Sequence, residues 1–212
     1  MISQGDHELR LAGQTASGRL GRGARIPMEW TMPRRLPFIA AFGLLLSVIS
    51  SAQSQVTKET VPGITNFARV ETTVACAGAT TPAAIAEVKR LGFKAVVNLR
   101  QASEAGADID GEAAAAKAAG INFVHLPFNA QAPDPMLVES FLKVVTDPGN
   151  QPAFIHCASG NRAAALWLIK RVEVDRWAVD RASEEATALG LTSSALKTFA
   201  LDQIQARAKQ TR

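Results

Sequence analysis

Short, continuously apolar segments alternate with helical patterns between residues 72 and 171. The apolar segments have the length and residue types of strands. They cover residues 72–77, 95–99, 122–126 and 153–156. Helical patterns cover residues 82–91, 111–119, 137–145 and 163–171, and two further helices are expected between residues 177 and 206. Strands that are apolar on both faces need helices on both sides. We therefore expect an α/β fold with a central, mostly parallel sheet of about four to five strands.

Residues 32–54 have the three parts of a secretory signal peptide. Met32-Pro33-Arg34-Arg35 is basic, residues 36–49 form an apolar core, and Ser50-Ser51-Ala52 supply the small residues of a cleavage site. One alternative is a membrane anchor, for which about 14 apolar residues fall short of the ~20 that span a bilayer. The other is a buried core helix. The pattern predicts a periplasmic or secreted protein that is cleaved near Ala52 to Ser54 and is not inserted stably in the membrane afterwards.

The positive charge of the chain is concentrated before the predicted domain. Residues 1–53 hold six of the 23 basic residues and three of the 19 acidic ones, which leaves 17 against 16 for the remainder. Residues 1–31 are polar and rich in Gly and Arg, as in a disordered extension or a start codon assigned too far upstream. A single, nearly neutral domain is expected over residues 55–212, and no nucleic-acid partner is expected for it.

The chain has few residues that bind metals or form disulfides. Two cysteines, Cys76 and Cys157, lack the paired spacing of a structural zinc site, and there are only three histidines. We predict neither a metal nor another cofactor. In an oxidising compartment Cys76 either pairs with Cys157 or serves as a small core residue.

The strand that ends at His156 leads directly into Cys157-Ala158-Ser159-Gly160-Asn161-Arg162 and then into a helix. Unpaired N–H groups at the start of a helix favour an anion and stabilise a thiolate. Gly160 permits a tight turn, and Arg162 can bind two oxygens of a tetrahedral anion. The alternative is an inert buried cysteine, but the combination of these residue types at a strand-to-helix junction favours a reactive Cys157.

Three segments together resemble a known family. They are His156 to Arg162, Val96-Val97-Asn98-Leu99-Arg100, and His125-Leu126-Pro127. Over about residues 60 to 190, the chain is similar to the beta-lactamase-hydrolase-like, phosphatase-like family of the dual-specificity and protein tyrosine phosphatase superfamily.

The resemblance implies roles for the loop residues. Cys157 would be the nucleophile that forms a thiophosphate intermediate. Arg162 and the loop amides would hold the phosphoryl oxygens, those amides belonging to Ala158, Ser159, Gly160 and Asn161. His156 would orient the loop and help to keep the thiol ionised, or it would be a core histidine at a strand end.

Two features of the loop depart from active tyrosine phosphatases. Four residues separate Cys157 from Arg162, where those enzymes have five. A loop of this length resembles that of rhodaneses, whose cysteine carries a sulfane sulfur. Ala163 also stands where phosphatases usually offer a hydroxyl. Ser159 is expected either to replace that hydroxyl or to cap the helix.

A phosphatase also needs an acid for the leaving group. The loop before the third predicted helix offers Asp134, whose alternative role is to cap that helix. Asp108 and Asp110 are more remote candidates. Arg100 is expected either to face the site or to pair with Glu104 or Asp108.

The leading hypothesis is a cysteine-dependent phosphatase that acts on a phosphate monoester, with Cys157, Arg162, His156 and Asp134 as catalytic residues. One alternative is a sulfurtransferase that carries a persulfide on Cys157. The other is a pseudophosphatase that binds an anion or a phosphoprotein without turnover. All three predict an anionic ligand.

Overall fold

The structure is a computed structural model that describes residues 55–210. The predicted extension over residues 1–31 and the predicted signal peptide over residues 32–54 lie outside the described residues. The described part contains one six-stranded sheet with the strand order β1-β2-β3-β6-β4-β5. The strands are β1 (Val56–Lys58), β2 (Ala68–Val70), β3 (Val74–Ala77), β4 (Ala95–Asn98), β5 (Asn122–His125) and β6 (Ala153–His156).

Four of the strands are those that the sequence predicts, and they are parallel to one another. β1 and β2 extend the sheet antiparallel beyond β3 and were not identified from the sequence. The expected α/β class with a mostly parallel sheet is therefore confirmed.

Helices flank the sheet on both faces. The described part contains α1 (Ile85–Arg90), α2 (Ile109–Ala119), α3 (Pro135–Thr146), α4 (Asn161–Glu173), α5 (Val179–Ala188) and α6 (Ser194–Gln210). A 3-10 turn, Pro82–Ala84, leads into α1. No helix within residues 55–210 has the length and apolar character that crossing a membrane requires.

Two hydrophobic cores lie on opposite faces of the sheet because successive strand residues point in opposite directions. Val96 and Phe154 belong to the core beneath α1 and α2, whereas Val97 and Ile155 belong to the core beneath α3 to α6. The sheet is therefore the middle of three layers, with helices on both faces as predicted.

α4 is the most deeply buried helix of the described part. Every residue from Arg162 to Arg171 is buried, because the sheet covers one side of α4 and helices α5 and α6 cover the other. Burial of a Leu or Ile side chain such as Leu166 or Ile169 stabilises the fold by about 1.5–3 kcal/mol. The first turn of α4, which carries the predicted site, therefore rests on a well-packed base.

The carboxyl ends of the parallel strands lie side by side. The strand pairing aligns Ala77 of β3, His156 of β6, Asn98 of β4 and His125 of β5 in one row. The loops that follow these strands therefore meet at one edge of the sheet, which is where sites in such folds are formed.

Candidate active site

The loop that follows β6 is fixed from both sides. The Cys157 N–H donates to the carbonyl of Ala77 over 3.1 Å, and the Ala79 N–H donates to the carbonyl of Ala158 over 3.0 Å. The Asn66 side chain donates to the carbonyl of Ser159 over 3.2 Å. The segment after β3 and the turn before β2 thus hold the loop in place.

Gly160 places the start of α4 against the thiol. It is the N-cap residue of α4, and its φ of +96° lies in the left-handed region that favours glycine. The Gly160 N–H donates to Cys157 Sγ over 3.1 Å. Cys157 is fully buried. A backbone donor and the positive end of the α4 dipole therefore both face the Cys157 sulfur.

Arg162 is held beside the loop by three acceptors. Its guanidinium donates to both carboxylate oxygens of Glu104, over 2.5 and 2.8 Å. It also donates to the carbonyls of Leu99 and Phe128, over 3.1 and 2.8 Å. Burial lowers the pKa of Arg162, but the hydrogen bond to Glu104 and the negative charges of Cys157 and Glu104 outweigh burial and raise it. Arg162 is thus a permanently charged, pre-oriented donor for an anion.

Glu104 is the functional residue that the sequence analysis named only as a partner of Arg100. Burial opposes ionisation of Glu104, but the hydrogen bonds from Arg162, the Gln101 N–H and Arg100 lower the pKa of Glu104 to about 2. The proximity of Glu104 to Arg162 gives no sequence signal, because the two residues are 58 positions apart.

Arg100 does not line the site but supports it. Its side chain is 3.4 Å from Glu104 and donates to the carbonyls of Ala105 and Gly106, over 2.6 and 2.9 Å. Arg100 is buried. Of the predicted alternatives, the ion pair with Glu104 is the one observed, and through it Arg100 shapes the loop that presents Glu104 to Arg162.

A cleft of about 420 Å³ opens above the loop. It is lined by the predicted residues Ala158, Ser159, Asn161 and Arg162, together with Gln101, Glu104, Ala130, Gln131, Ser193 and Leu196. Cys157 and Gly160 are buried and are not among the described residues that line the cleft.

Asn161 connects the loop to the segment between α5 and α6. Its side-chain oxygen accepts hydrogen bonds from the N–H groups of Thr192 and Ser193, each over 2.7 Å. Its amide nitrogen donates to the Ser159 hydroxyl over 3.3 Å. Ser159 does not cap α4, since Gly160 occupies the cap position and no side chain caps it. Asn161 therefore contributes a structural link that the sequence did not predict.

The acidic candidates are engaged at helix starts. Asp134 caps α3, and its carboxylate accepts from the Met136 N–H over 2.8 Å. Asp108 caps α2 in the same way through Gly111 over 2.9 Å, and Asp110 lies in the first turn of α2. None of the three carboxylates is among the described residues that line the cleft.

His156 lies behind the loop. Its ring is fully buried and stacks on Phe154, with 5.6 Å between ring centroids. Phe154 belongs to the core beneath α1 and α2, whereas Cys157 belongs to the opposite core. The His156 ring thus lies on the face of the sheet opposite the Cys157 thiol.

Cys76 is a fully buried residue of β3 with a free thiol, and Cys157 is free as well. Burial, and then the negative charge of Cys157, raise the pKa of Cys76 far above its ordinary value. Cys76 is therefore a neutral core thiol in this structure. Within residues 55–210, no group of three His, Cys, Asp or Glu side chains is placed to hold a metal ion.

Solved structures share this fold. A DUF442 protein from Shewanella putrefaciens CN-32 is 19% identical, with a TM-score of 0.59 over 70% of this chain and 92% of that chain. TpbA from P. aeruginosa, in complex with pTyr, is 19% identical, with a TM-score of 0.56 over 75% of this chain and 99% of that one. The core catalytic domain of the PP-IP phosphatase SIW14 from S. cerevisiae, in complex with citrate, is 20% identical, with a TM-score of 0.55 over 72% and 96%.

A comparison with curated proteins found no match. The family model "Beta-lactamase hydrolase-like protein, phosphatase-like domain" matches residues 66–174, which is just over half of the chain and includes β2 to α4 with the cysteine loop. The chain therefore belongs to the phosphatase-like family of beta-lactamase hydrolase-like proteins.

Proposed function

We propose that the protein is a cysteine-dependent phosphatase that hydrolyses a phosphate monoester through a thiophosphate on Cys157. The arrangement of one thiol, one backbone donor and one guanidinium carries this proposal. Cys157 Sγ lies 3.1 Å from the Gly160 N–H at the start of α4, and Arg162 is fixed beside the same loop by Glu104. A phosphoryl group above the loop would meet backbone donors and a guanidinium around its equatorial oxygens.

The reaction would proceed in two steps. The Cys157 thiolate attacks phosphorus, an S–P bond forms, and the bond from phosphorus to the ester oxygen breaks. The leaving oxygen takes a proton from an acid, for which Asp134 is the proposed donor. Water then attacks phosphorus and returns a proton to that carboxylate, the S–P bond breaks, and inorganic phosphate and the Cys157 thiolate are released. Arg162 and the loop amides stabilise the charge on the phosphoryl oxygens in both steps.

The charges around the cleft support a substrate with a single phosphate. The charged side chains that line it are Arg162 and Glu104, which neutralise each other. A densely phosphorylated ligand would need several cations to compensate its charge. We therefore propose a phosphate monoester on a weakly charged body. Of the similar structures, TpbA holds pTyr and SIW14 holds citrate, so both proteins bind anions.

The position of Asp134 favours substrates with good leaving groups. Its carboxylate is engaged at the start of α3, and the low pKa of Glu104, about 2, makes that residue a poor proton donor at neutral pH. An aryl phosphate needs less acid assistance than an alkyl phosphate. The engagement of Asp134 at the start of α3 and the low pKa of Glu104 also support a second candidate, a protein that binds an anion without turnover.

Sulfur transfer is the rival enzymatic proposal, and the four-residue spacing between Cys157 and Arg162 supports it. The Cys157 thiolate would attack the sulfane sulfur of a donor such as thiosulfate, so that the S–S bond of the donor breaks, sulfite leaves and a persulfide forms on Cys157. The outer sulfur would then pass to cyanide as thiocyanate or to an acceptor thiol as its persulfide, which restores the Cys157 thiolate.

We also propose that residues 32–54 direct export. Amino-terminal sequencing of the protein from a periplasmic fraction would test this, and an uncleaved cytoplasmic protein would contradict it.

The deciding experiment measures turnover of the reduced protein with p-nitrophenyl phosphate, with inositol hexakisphosphate, and with thiosulfate plus cyanide. We expect hydrolysis of the aryl phosphate that Cys157→Ser abolishes. Cys76→Ser is the matched control, since Cys76 is equally buried but lies outside the loop.

The outcomes separate the candidates. Sulfur transfer without phosphate release would replace the phosphatase proposal with the sulfurtransferase one. Inactivity in every assay, with inorganic phosphate still bound, would favour the anion-binding protein. Preference for inositol hexakisphosphate would refute the single-phosphate argument.

A further inference from the structure

A buried polar cluster lies directly behind the cysteine loop. Glu112 of α2 and His156 of β6 are both fully buried, and Glu112 Oε2 lies 2.8 Å from His156 Nε2. The Asn98 side chain of β4 donates to the same carboxylate oxygen over 2.9 Å. Three elements thus bring their polar side chains to one point beneath the edge of the sheet that carries the site.

The hydrogen bonds determine the orientation of Asn98. Its side-chain oxygen accepts from the Arg100 N–H over 2.7 Å, so its NH₂ group must be the one that faces Glu112. Glu112 Oε2 is therefore an acceptor. Two acceptors without a proton do not approach within 2.8 Å, so the close contact requires a proton on one of the two atoms, Glu112 Oε2 or His156 Nε2.

The contact is oblique, and the cluster is not fully satisfied. Among residues 55–210, neither nitrogen of the His156 ring makes a hydrogen bond of good geometry, and Glu112 Oε1 has no partner. Buried polar atoms without partners reduce stability, and replacing such a pair by apolar residues is often neutral or stabilising. Stability alone therefore does not account for a carboxylate at this position.

His156 connects the cluster to the nucleophile. It precedes Cys157 in the chain, and its ring lies on the face of the sheet opposite the thiol, stacked on Phe154. The thiol is held in front by the Gly160 N–H. The other titratable side chain aligned in this row is His125, whose Nε2 lies 2.7 Å from the Arg100 carbonyl.

We propose that Glu112 is a positioning residue: with Asn98 it clamps His156 from behind the sheet and so holds the Cys157 thiol against the Gly160 amide. This inference deepens the proposed function and rests on it for the consequence on turnover. Without the clamp, the start of the loop gains freedom and the thiolate loses alignment with its donor. The thiolate population and the rate of attack then both fall.

The test replaces Glu112 by Gln and by Met in the full chain. Glu112→Gln keeps the shape and one acceptor for Asn98, whereas Glu112→Met is apolar and of similar volume. We expect thiolate absorbance near 240 nm at neutral pH, the rate of Cys157 alkylation by iodoacetamide and kcat to fall on the order of tenfold to a hundredfold with Met. Partial recovery is expected with Gln. The midpoint of thermal unfolding should stay within about 4 °C of the wild-type value for both.

A double-mutant cycle distinguishes positioning from a general structural role. If Glu112 acts through His156, Glu112→Gln should change the alkylation rate little in a His156→Asn background. The matched control is Glu87→Gln, which removes a carboxylate from α1, where Glu87 pairs with Arg90 at the surface, and should leave all readouts unchanged.

Additive effects in the cycle, or wild-type thiolate absorbance and alkylation rate in both Glu112 variants, would overturn the proposal. The thiol measurements do not depend on phosphatase activity. A wild-type protein that fails to hydrolyse phosphate esters, but whose thiolate still depends on Glu112, would therefore refute the proposed function and leave this inference standing.

Discussion

At the scale of single residues, the candidate site contains a buried positive charge, that of Arg162, which Glu104 neutralises within the protein itself. Arg162 is buried and would be costly to leave unpaired, and Glu104 pairs with it through two hydrogen bonds. The pair keeps the guanidinium in place and holds the end of β4 near the loop through the Leu99 carbonyl. The orientation of the Arg162 guanidinium and the stability of the fold thus both depend on the Glu104 carboxylate.

Glu104→Gln should therefore impair both properties at neutral pH. Loss of the charge-assisted bonds should lower the free energy of unfolding by about 1–3 kcal/mol. A less well oriented Arg162 should reduce kcat/KM for an aryl phosphate about tenfold or more. Urea denaturation and steady-state kinetics measure the two effects. Wild-type kinetics in the variant would contradict the assigned role of Glu104.

The stability difference should also depend on pH with a defined sign. The pKa of Glu104 is lowered from 4.5 to about 2 by Arg162, the Gln101 N–H and Arg100, despite burial. A lowered pKa in the folded state contributes stability above the unfolded value of 4.5, and this contribution is lost as pH falls through about 2. The wild-type protein should thus lose its advantage over Glu104→Gln between these values. An advantage that is independent of pH over this range would contradict the ion pair.

At the scale of elements, the junction between β6 and α4 needs a left-handed residue. Gly160→Ala should cost about 1–2 kcal/mol because φ is +96° there, although an added methyl would meet only ordinary contacts with Ala77. The change should also shift the Gly160 N–H away from Cys157 and slow alkylation of the thiol. Gly92→Ala is the matched control, with a φ of +94° after α1 and open space around it. Gly92→Ala should lower the free energy of unfolding by a similar amount and leave the rate of Cys157 alkylation unchanged. An equal loss of thiol reactivity in both variants would refute a specific role for Gly160.

The elements that the sequence predicted share one property, which is a pattern long enough to be recognised. The four parallel strands and the helices around them have such patterns, whereas β1 and β2 are only three residues long and contain Lys58 and Arg69. The sequence also predicts the cysteine loop, because the residues that define it, Cys157 to Arg162, are consecutive in the chain. The proximity of Glu104 and Glu112 to the loop cannot be predicted in this way, because it arises only when the fold brings distant segments together.

At the scale of the whole molecule, a buried polar network attaches α5 to α4. Glu185 of α5 accepts from Trp167 over 2.8 Å and from Arg171 over 2.6 Å, and both donors are buried residues of α4. Arg171 also pairs with Asp175 and lies over the Trp167 ring. The network attaches α5 to the helix that begins at the candidate active site.

Glu185→Ala should therefore destabilise the fold by about 3 kcal/mol, since it leaves a buried Arg171 with less compensation. Glu184→Ala removes the exposed neighbouring carboxylate and should change stability by no more than about 0.5 kcal/mol. Urea denaturation should show a lower midpoint for Glu185→Ala with an unchanged slope. Because this network lies away from the cleft, the fraction that stays folded should keep the wild-type rate of Cys157 alkylation. A slower alkylation rate in fully folded Glu185→Ala protein would mean that α4 transmits strain from α5 to the thiol. Equal stability of the Glu185→Ala and Glu184→Ala variants would show that the buried network does not stabilise the fold.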